Sequence, residues 1–336
     1  MRLLVLGGTH HVGRAVVETA LADGHTVTTL TRGVSGPSAP GTDERHADRR
    51  DGDALATALG GDEWDVVVDT WSQAPAVVLT SATLLRGRAA HYCYVSSRSV
   101  YAWPIAHHAD ESAPVVEGDP ASEESSDYAE AKRGGELAAL EGFGADVLLA
   151  RAGLILGPWE RVGRLPFWLE RLARGGDVPA PGPVDRPLQY VDARDLAAWL
   201  VDAGSRGVRG AFNAVSQPGH TTIGELLGEA RRVTGGRSKL VWLTPEQVEA
   251  AGVAPWTELP IWMPPTGEMA ALHDGDVGAA SAAGLVCRPV AETVADTWAW
   301  LQTEGNPGAG RPGTGFDDAA EERMLALAGS RPARPA

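Results

Sequence analysis

The chain begins with a short apolar run that ends in two glycines and leads directly into an amphipathic segment. Residues 3–6 are Leu-Leu-Val-Leu, Gly7 and Gly8 follow, and residues 14–23 carry apolar side chains at helical spacing before Gly24. A solid apolar run is typical of a strand buried on both faces, and a glycine after a helical stripe is typical of a helix end. The start of the chain therefore predicts a strand, a tight turn and a helix.

The same alternation continues through the first half of the chain. We predict further strands over residues 25–30, 65–69, 91–96 and 147–150, and helices over residues 53–59, 76–85 and 128–140. Strands that alternate with helices and are buried as solid apolar runs indicate an α/β fold with a doubly wound parallel sheet, the Rossmann architecture.

Prolines and tryptophans become frequent beyond residue 157, and short helices alternate with loops there. We predict a dinucleotide-binding Rossmann domain over residues 1–157 and a smaller substrate-covering region, interleaved with the sheet, over residues 158–304. The Gly- and Pro-rich residues 305–336 are expected to form a flexible tail, with one candidate helix at 317–328. Thr222 and Glu225 have the spacing of a capping box, which predicts a helix from there to Thr234.

Composition excludes several classes of function. The net charge of −15 opposes nucleic-acid binding, which depends on basic residues that neutralise phosphates. No apolar run approaches the roughly 18 residues of a membrane span, and the N-terminal run lacks a signal-peptide cleavage pattern. Two cysteines do not suggest a disulfide framework. We expect a cytoplasmic protein that acts on a small molecule; its oligomeric state stays open, a homodimer being one option.

The glycine turn predicts a dinucleotide site. Glycines between a strand and a helix let the backbone approach a pyrophosphate, which the helix N-terminus favours electrostatically. The residues expected to contact the cofactor here are Gly7, Thr9, His10, His11, Val12 and Gly13. His10 replaces the usual middle glycine, and a tight turn without a ligand is the alternative interpretation.

The end of the second predicted strand indicates which dinucleotide is bound. A carboxylate there would bind the ribose 2′-hydroxyl of NAD, whereas an arginine accommodates the 2′-phosphate of NADP. This chain has Thr31 and then Arg32, which favours NADP(H) over NAD(H), although a solvated arginine is the alternative. Asp48 is expected beside the adenine, where its carboxylate would accept an amino proton.

Tyr128 and Lys132 form a Tyr-x-x-x-Lys motif in a chain with only two lysines. On the predicted helix, positions i and i+4 share a face. Making the phenolate accessible near neutral pH needs about 4 kcal/mol, since a free tyrosine has a pKa of about 10. One positive charge about 4 Å away supplies roughly that energy at an effective dielectric near 20. The pair therefore predicts proton transfer with a substrate oxygen; an exposed helix pair without a role is the alternative.

Together, the glycine turn, Asp48, Ser97 and the Tyr128–Lys132 motif resemble the short-chain dehydrogenase/reductase superfamily. The similarity is to its extended or atypical branch, the NAD(P)-dependent epimerase/dehydratase-like proteins, over roughly residues 1–300. The resemblance implies that Ser97 hydrogen-bonds the substrate oxygen and that Tyr128 is the catalytic acid or base. It implies that Lys132 holds the ribose hydroxyls and lowers the tyrosine pKa. It also places Thr70 and Leu154 in the cofactor site.

Departures from the family pattern narrow the expected activity. Arg98 and Ser99 follow Ser97 where the family's dehydratases usually carry an acidic pair, which counts against sugar dehydration. We expect an NADP(H)-dependent reductase or dehydrogenase of a carbonyl or alcohol, without a metal. The alternatives are an NAD-dependent sugar epimerase and a non-catalytic dinucleotide-sensing or RNA-binding relative. Loss of the Tyr/Lys pair or a basic face would favour the non-catalytic alternative.

Overall fold

The computed structural model describes residues 1–125, 127–308 and 314–329. The strands, in chain order, are β1 (Arg2–Leu6), β2 (Thr26–Thr31), β3 (Asp43–His46), β4 (Trp64–Asp69), β5 (Ala89–Ser97), β6 (Val147–Ala152), β7 (Leu154–Leu156), β8 (Gly176–Pro181), β9 (Pro187–Leu188), β10 (Tyr190–Asp192), β11 (Gly210–Ala214), β12 (Thr221–Thr222), β13 (Ser238–Leu243), β14 (Pro255–Trp256) and β15 (Leu259–Pro260). The α-helices are α1 (His11–Ala22), α2 (Gly52–Leu59), α3 (Pro75–Leu85), α4 (Tyr128–Phe143), α5 (Arg164–Ala173), α6 (Ala193–Ser205), α7 (Ile223–Val233), α8 (Pro245–Ala250), α9 (Gly278–Ala282), α10 (Val290–Glu304) and α11 (Asp318–Gly329). Short 3₁₀ helices span Arg98–Val100 and Ala270–His273.

Seven of these strands form one parallel sheet in the order β11, β6, β5, β4, β1, β2, β3. From β1 the chain builds outward through β2 to β3, and then in the opposite direction through β4 to β11. The direction of winding therefore reverses beside β1. In sheets of this kind the reversal leaves a crevice at the carboxyl ends of the strands, where ligands bind. The predicted doubly wound parallel sheet is confirmed.

Alternate residues of the strands enter two separate cores. In β1, Leu3 and Val5 pack in the core that contains the apolar faces of α1 and α6. Leu4 and Leu6 pack in the core that contains α2, α3 and α4. Side chains of a strand alternate between the two faces of the sheet, so burial on both faces requires an apolar residue at every position. This requirement explains the solid apolar run at the start of the chain.

The chain divides into two compact units. The first consists of Met1–Ile155, Val191–Ser216 and Gly275–Cys287, and it contains the whole seven-stranded sheet. The second consists of Leu156–Tyr190, Gln217–Asp274 and Arg288–Ala336; in it β8 pairs with β13, and β9 pairs with β12. The predicted boundary after residue 157 lies close to the first of these crossings, but the chain returns to the first unit twice.

The strands and helices predicted in the first half of the chain are present, with small shifts at their ends. Two edge strands of the sheet were missed. Strand β3 has the sequence Asp-Glu-Arg-His, whose polar side chains are mostly exposed, and β11 begins with a glycine at the other edge. Edge strands need no continuous apolar pattern because they are less buried than central strands. Hydrophobic periodicity therefore could not identify them.

Part of the predicted tail is a packed helix. The helix expected at residues 317–328 is α11 (Asp318–Gly329), and Phe316, Ala320 and Met324 are buried in the second unit. Glu321 on this helix forms a bidentate ion pair with Arg171. Residues 314–329 thus differ from the expected flexible tail, while residues 309–313 and 330–336 lie outside the described residues.

The predicted capping box is present at the start of α7. The backbone amide of Glu225 donates to Thr222 Oγ1 at 3.1 Å, and the amide of Thr222 donates to Glu225 Oε2 at 2.9 Å. Both bonds satisfy amide groups that the first helical turn leaves without an intrahelical partner. The helix continues to Val233 and is capped by Thr234, as the sequence predicted.

Candidate active site

The turn between β1 and α1 can be formed only by glycines. Gly7 and Gly8 have φ angles of 113° and 135°, in the region that favours glycine. A Cβ atom on Gly7 would lie 2.4 Å from Thr70 Oγ1, and one on Gly13 would lie 2.8 Å from the backbone nitrogen of Gly8. The turn and the first turn of α1 are therefore in close contact. A glycine turn packed against a helix N-terminus is the arrangement that binds a pyrophosphate in dinucleotide sites.

The residues between these glycines surround the helix N-terminus. His10 is the N-cap residue of α1, and its Nδ1 lies 2.6 Å from the carbonyl oxygen of Thr9. His11 is the first helical residue, with a φ angle of 37°, and Val12 is buried in the core beneath the helix. His10 thus occupies the N-cap position without capping the helix through its side chain.

A cleft opens at the carboxyl ends of β1, β2 and β4. Its walls come from the glycine turn, from residues 30–33 and Ser35 at the end of β2 and just after it, from Ala47 and Arg49, and from residues 70–73 after β4. This is the crevice expected where the winding of the sheet reverses. Of the residues predicted to bind the cofactor, those that line this cleft are Gly7, Thr9, Arg32 and Thr70. Thr70 Oγ1 donates to the carbonyl of Leu6 at 3.0 Å, which joins the ends of β4 and β1.

The end of β2 carries no carboxylate. Thr31 is the last residue of the strand, and Arg32 follows as an exposed side chain in the wall of the cleft. His46, the last residue of β3, places its Nδ1 3.4 Å from Thr31 Oγ1 and packs against the backbone of Gly33. The groups at this corner are therefore a hydroxyl, an imidazole and a guanidinium, which suit an anion better than a sugar hydroxyl.

The segment after β3 turns Arg49 toward the cleft and leaves Asp48 exposed. The Asp48 side chain accepts a hydrogen bond from the amide of Arg50 at 3.0 Å and does not belong to the residues that line the cleft. Arg49 is 5% exposed and does line it. The predicted contact of Asp48 with the adenine stays a prediction, and the inward position of Arg49 was not predicted. The signal that could have found Arg49 is Asp69, an acidic residue at the end of an otherwise apolar strand, which needs a cation to be buried.

Arg49 and Asp69 form a buried bidentate ion pair. The two N–H···O distances are 2.7 and 2.6 Å, and Asp69 is fully buried. Burial alone would raise the pKa of the Asp69 carboxyl, but the charge and hydrogen bonds of Arg49 hold it below its ordinary value. Tyr92 also donates to Asp69 Oδ2, at 2.6 Å. The carboxylate therefore stays ionised although it has no access to water.

Ser97 ends β5, the strand next to β4 in the sheet. Its Oγ accepts a hydrogen bond from the amide of Ser99 and donates to Ser99 Oγ, both at 3.1 Å. The first of these bonds caps the 3₁₀ helix Arg98–Val100. The serine predicted to bind the substrate oxygen is thus partly exposed at the carboxyl edge of the sheet, in a position fixed by this cap.

Tyr128 and Lys132 lie on α4, which begins at Tyr128 behind the N-cap Asp127. Tyr128 is 51% exposed and Lys132 is 3% exposed. Lys132 Nζ donates to the carbonyl oxygen of Trp71 at 2.7 Å and to that of Val95 at 2.6 Å. Because Trp71 lines the cleft, the lysine nitrogen is anchored directly behind the wall of that cleft.

The ammonium of Lys132 is buried without a direct carboxylate partner among the described residues. Burial lowers its pKa to about 7, and the negative charges of Asp69 and Glu136 oppose this shift. The nitrogen also lies 4.8 Å from the centre of the Tyr94 ring. A group that gains and loses its proton near neutral pH is suited to acid–base chemistry.

A second buried ion pair, between Glu136 on α4 and Arg151 on β6, joins that helix to the sheet. Glu136 accepts two hydrogen bonds from Arg151 on β6, at 2.9 and 3.1 Å, and one from Ser96 Oγ at 2.7 Å. These contacts fix α4 to the ends of β5 and β6.

Leu154, predicted to contact the cofactor, begins β7 and is 6% exposed. It is not among the residues that line the cleft.

The described residues contain neither a candidate membrane span nor a candidate metal-binding group. Residues 1–125, 127–308 and 314–329 contain no helix that is both long and apolar enough to cross a membrane. In the same ranges, no three or more His, Cys, Asp or Glu side chains are grouped so that they would hold a metal ion.

Comparison with known families identifies one match. The sequence model of the NAD dependent epimerase/dehydratase family matches residues 3–214, which include the whole central sheet. No curated protein matches the chain in sequence.

Solved structures with similar folds cover nearly the whole chain. A candidate epimerase from Burkholderia cenocepacia J2315 has a TM-score of 0.68 at 20% identity, covering 90% of this chain and 98% of that one. The Bordetella bronchiseptica enzyme WbmH, solved with NAD⁺, has a TM-score of 0.64 at 18% identity, covering 90% and 99%. The UDP-glucose 4-epimerase of Thermotoga maritima, solved with UDP-glucose, has a TM-score of 0.63 at 17% identity, also covering 90% and 99%. At these identities the similarity establishes a common fold.

Replacing Gly13 with alanine should destabilise the protein, because the new methyl group would press against the backbone of Gly8. We expect the free energy of unfolding in urea to fall by about 1–3 kcal/mol, the usual effect of overpacking. The control is Gly228→Ala on the exposed side of α7, where an added Cβ meets nothing within 4 Å. That change should be neutral or stabilise by up to ~1 kcal/mol. Wild-type stability in Gly13→Ala would contradict the close contact.

Lys132 should make stability depend on pH. Its folded pKa of about 7 lies below the ordinary 10.5, so between these values only the unfolded chain binds the proton, and stability rises with pH. The free energy of unfolding of the wild type minus that of Lys132→Met should therefore increase by roughly 1 kcal/mol per pH unit between about pH 8 and 10. The other lysine, Lys239, is exposed, and Lys239→Met should leave the pH dependence unchanged. A difference that stays flat would show that Lys132 remains charged in the fold.

Proposed function

Because the chain belongs to the NAD dependent epimerase/dehydratase family, we propose that it is an NADP(H)-dependent reductase or dehydrogenase of a small carbonyl or alcohol compound. The proposed catalytic residues are Ser97, Tyr128 and Lys132. The observation that carries the proposal is the anchoring of Lys132 Nζ to the carbonyl of Trp71, a residue of the cleft wall. This contact links the Tyr-x-x-x-Lys helix to the crevice in which the family holds its dinucleotide.

The residues of the cleft fit a dinucleotide. Gly7 and Thr9 of the glycine turn line the cleft, and the turn leads into the N-terminus of α1, which favours a pyrophosphate electrostatically. An ammonium has three N–H donors, and the described hydrogen bonds of Lys132 use two of them. The third is then available for a ribose hydroxyl, as the resemblance implied.

The choice of NADP(H) rests on the corner formed by Thr31, Arg32 and His46. No carboxylate ends β2, and Arg32 is exposed in the cleft wall. A guanidinium binds a phosphate through charge-assisted hydrogen bonds, whereas it offers no acceptor for the two hydroxyls of an unphosphorylated ribose. The NAD complexes of similar folds belong to those proteins and leave this choice open.

In the proposed mechanism Ser97 Oγ and Tyr128 Oη both bind the substrate oxygen. When bound, the nicotinamide supplies the hydride for reduction or accepts it in oxidation. In reduction, negative charge develops on the substrate oxygen, and the two hydroxyl groups stabilise it. Tyr128 then donates its proton to that oxygen, and in oxidation it removes the proton. Lys132 holds the cofactor ribose and supplies positive charge beside the phenol.

The residues after Ser97 favour this reaction over dehydration. Arg98 takes the place where the family's dehydratases usually carry an acid, and it is 2% exposed. A buried guanidinium cannot serve as the base that removes a proton from a sugar carbon, because it stays protonated. A reductase or dehydrogenase needs no group beyond the Ser-Tyr-Lys set.

An NAD-dependent sugar epimerase is the second candidate. It is favoured by the family match and by the similarity in fold to a UDP-glucose 4-epimerase. An epimerase oxidises and reduces the same substrate, so it would retain NAD during purification and consume none. Net oxidation of NADPH by an aldehyde or ketone would separate the proposed reductase from this candidate.

Tyr128→Phe should remove the proton donor while leaving the binding of the cofactor nearly intact. We expect turnover with a panel of aldehydes and ketones to fall by at least about 100-fold, the usual contribution of a general acid. NADPH affinity, measured by fluorescence titration, should stay within about threefold of the wild type, because the phenol contacts the substrate. Retained turnover in a folded variant would remove Tyr128 from the mechanism.

Arg32→Ala should weaken NADPH binding and leave NADH binding unchanged. Loss of the phosphate contact is expected to raise the Kd for NADPH by about 10- to 100-fold, the usual range for hydrogen bonds to charged groups. The control is Arg209→Ala, which removes the same charge just before β11, at the amino end of that strand. If both cofactors weaken equally in Arg32→Ala, or if the wild type prefers NADH, the choice of NADP(H) is wrong.

A further inference from the structure

Arg49 and Asp69 are the most deeply buried charged pair beside the cleft among the described residues, 5% and 0% exposed respectively. Removing two charges from water is expensive, and a buried ion pair is often no more stabilising than well-packed apolar residues of similar volume. The surrounding core is apolar and aromatic, so such residues would fit its character. Stability alone therefore does not account for a pair at this place.

Asp69 does more than pair with Arg49. Its Oδ1 also accepts the backbone amide of Trp71 at 2.9 Å. The carbonyl of the same Trp71 accepts the hydrogen bond from Lys132 Nζ at 2.7 Å. The backbone of Trp71 thus donates a hydrogen bond to Asp69 through its amide and accepts one from Lys132 through its carbonyl oxygen.

Trp71 is held in place from its side chain as well. Its indole Nε1 donates to the carbonyl of Ala74 at 3.0 Å, and the Arg49 guanidinium lies 5.2 Å from the centre of its ring. Arg49 is itself fixed by Ser81, whose Oγ accepts from Nε and Nη2 at 3.1 and 2.8 Å. A rigid arrangement of hydrogen bonds therefore runs from Arg49 through Asp69 and Trp71 to Lys132.

We propose that Asp69, held by Arg49, is a positioning residue for Lys132: through the Trp71 backbone it fixes the lysine nitrogen behind the cleft, and its negative charge favours the protonated form of that nitrogen. The inference rests on the proposed role of Lys132 and goes beyond it, because it assigns a role to two residues outside the Ser-Tyr-Lys set.

The charges around Lys132 support this role. The negative groups that act on it are Asp69 on β4 and Glu136 on its own helix, and both oppose the effect of burial. Glu136 forms ion pairs with both Arg151 and Arg133, whereas the ion pair of Asp69 within the described part of the chain is with Arg49. The other groups facing this region are Tyr94, whose ring lies beneath the ammonium, and Tyr128, one turn earlier on α4. Of the two carboxylates, Asp69 opposes the lowering of the Lys132 pKa more strongly than Glu136 does.

The test is a direct titration of Lys132 in the protein without cofactor. The chain contains only two lysines, so lysine-selective isotope labelling gives two side-chain NMR signals, and Lys239→Arg assigns them. In Asp69→Asn the pKa of Lys132 should fall by about one unit, the lower end of the effect of a nearby opposite charge. In Arg49→Gln it should stay unchanged or fall by less than in Asp69→Asn, because the carboxylate keeps its hydrogen bonds from Tyr92 and from the Trp71 amide.

The difference between the two variants separates the effect of the carboxylate from damage to the fold, since both variants break the same ion pair. Should Asp69→Asn fail to fold, the double variant Arg49→Gln, Asp69→Asn replaces the pair with neutral amides and should lower the pKa of Lys132 as well. The control is Glu321→Gln, which breaks a buried ion pair with Arg171 in the second unit and should leave the Lys132 titration unchanged. An unchanged pKa in a folded Asp69→Asn or double variant, or equal falls in Asp69→Asn and Arg49→Gln, would overturn the proposal.

Fluorescence titration of the same variants with NADPH separates this inference from the proposed function. If the wild type binds NADPH, Asp69→Asn should bind it at least about threefold more weakly, because Lys132 is less protonated and less well held. If the wild type binds no nicotinamide dinucleotide, the proposed function fails. The lysine titration then still decides whether Asp69 controls Lys132.

Discussion

Burial of the central sheet on both faces is the constraint from which the site follows. Strands covered on both sides have little place for polar side chains along their length, so polar residues collect where the strands end. Parallel strands end at the same edge, and the reversal of winding beside β1 opens a crevice there. Asp69, Ser97 and Thr31 are all last residues of their strands. Folding the sheet therefore also assembles the candidate site.

This edge contains charges that a purely stabilising core would avoid. The Arg49–Asp69 pair, the Glu136–Arg151 pair and Lys132 are all nearly excluded from solvent. Each ion loses its hydration, and the attraction within a pair offsets that loss only when the remaining hydrogen bonds are also made. The described geometry meets this condition for both carboxylates, each of which accepts several hydrogen bonds. Lys132 differs from the paired ions because its described hydrogen bonds go to two carbonyl oxygens and to no carboxylate, and burial lowers its pKa to about 7.

Local patterns predicted the architecture, because the central strands and helices have the periodicity that their burial requires. The same reasoning failed for β3, whose edge position tolerates polar residues. It also did not predict that Arg49 is buried against Asp69, and the expected contact of Asp48 with the adenine stays a prediction. A side chain that turns inward does so because of its partner, and the partner Asp69 is distant in sequence. Long-range pairs of this kind are not encoded in any local pattern.

The relation between Tyr128 and Lys132 illustrates how burial changes an argument made from sequence. The spacing of the motif suggested a full positive charge beside the phenol. In the structure that charge is itself expensive, since burial brings the pKa of Lys132 to about 7. How much positive charge reaches the phenol then depends on the carboxylates that counter the burial, Asp69 and Glu136. The proposed role of Lys132 therefore depends on two buried acids that the Tyr-x-x-x-Lys spacing alone does not reveal.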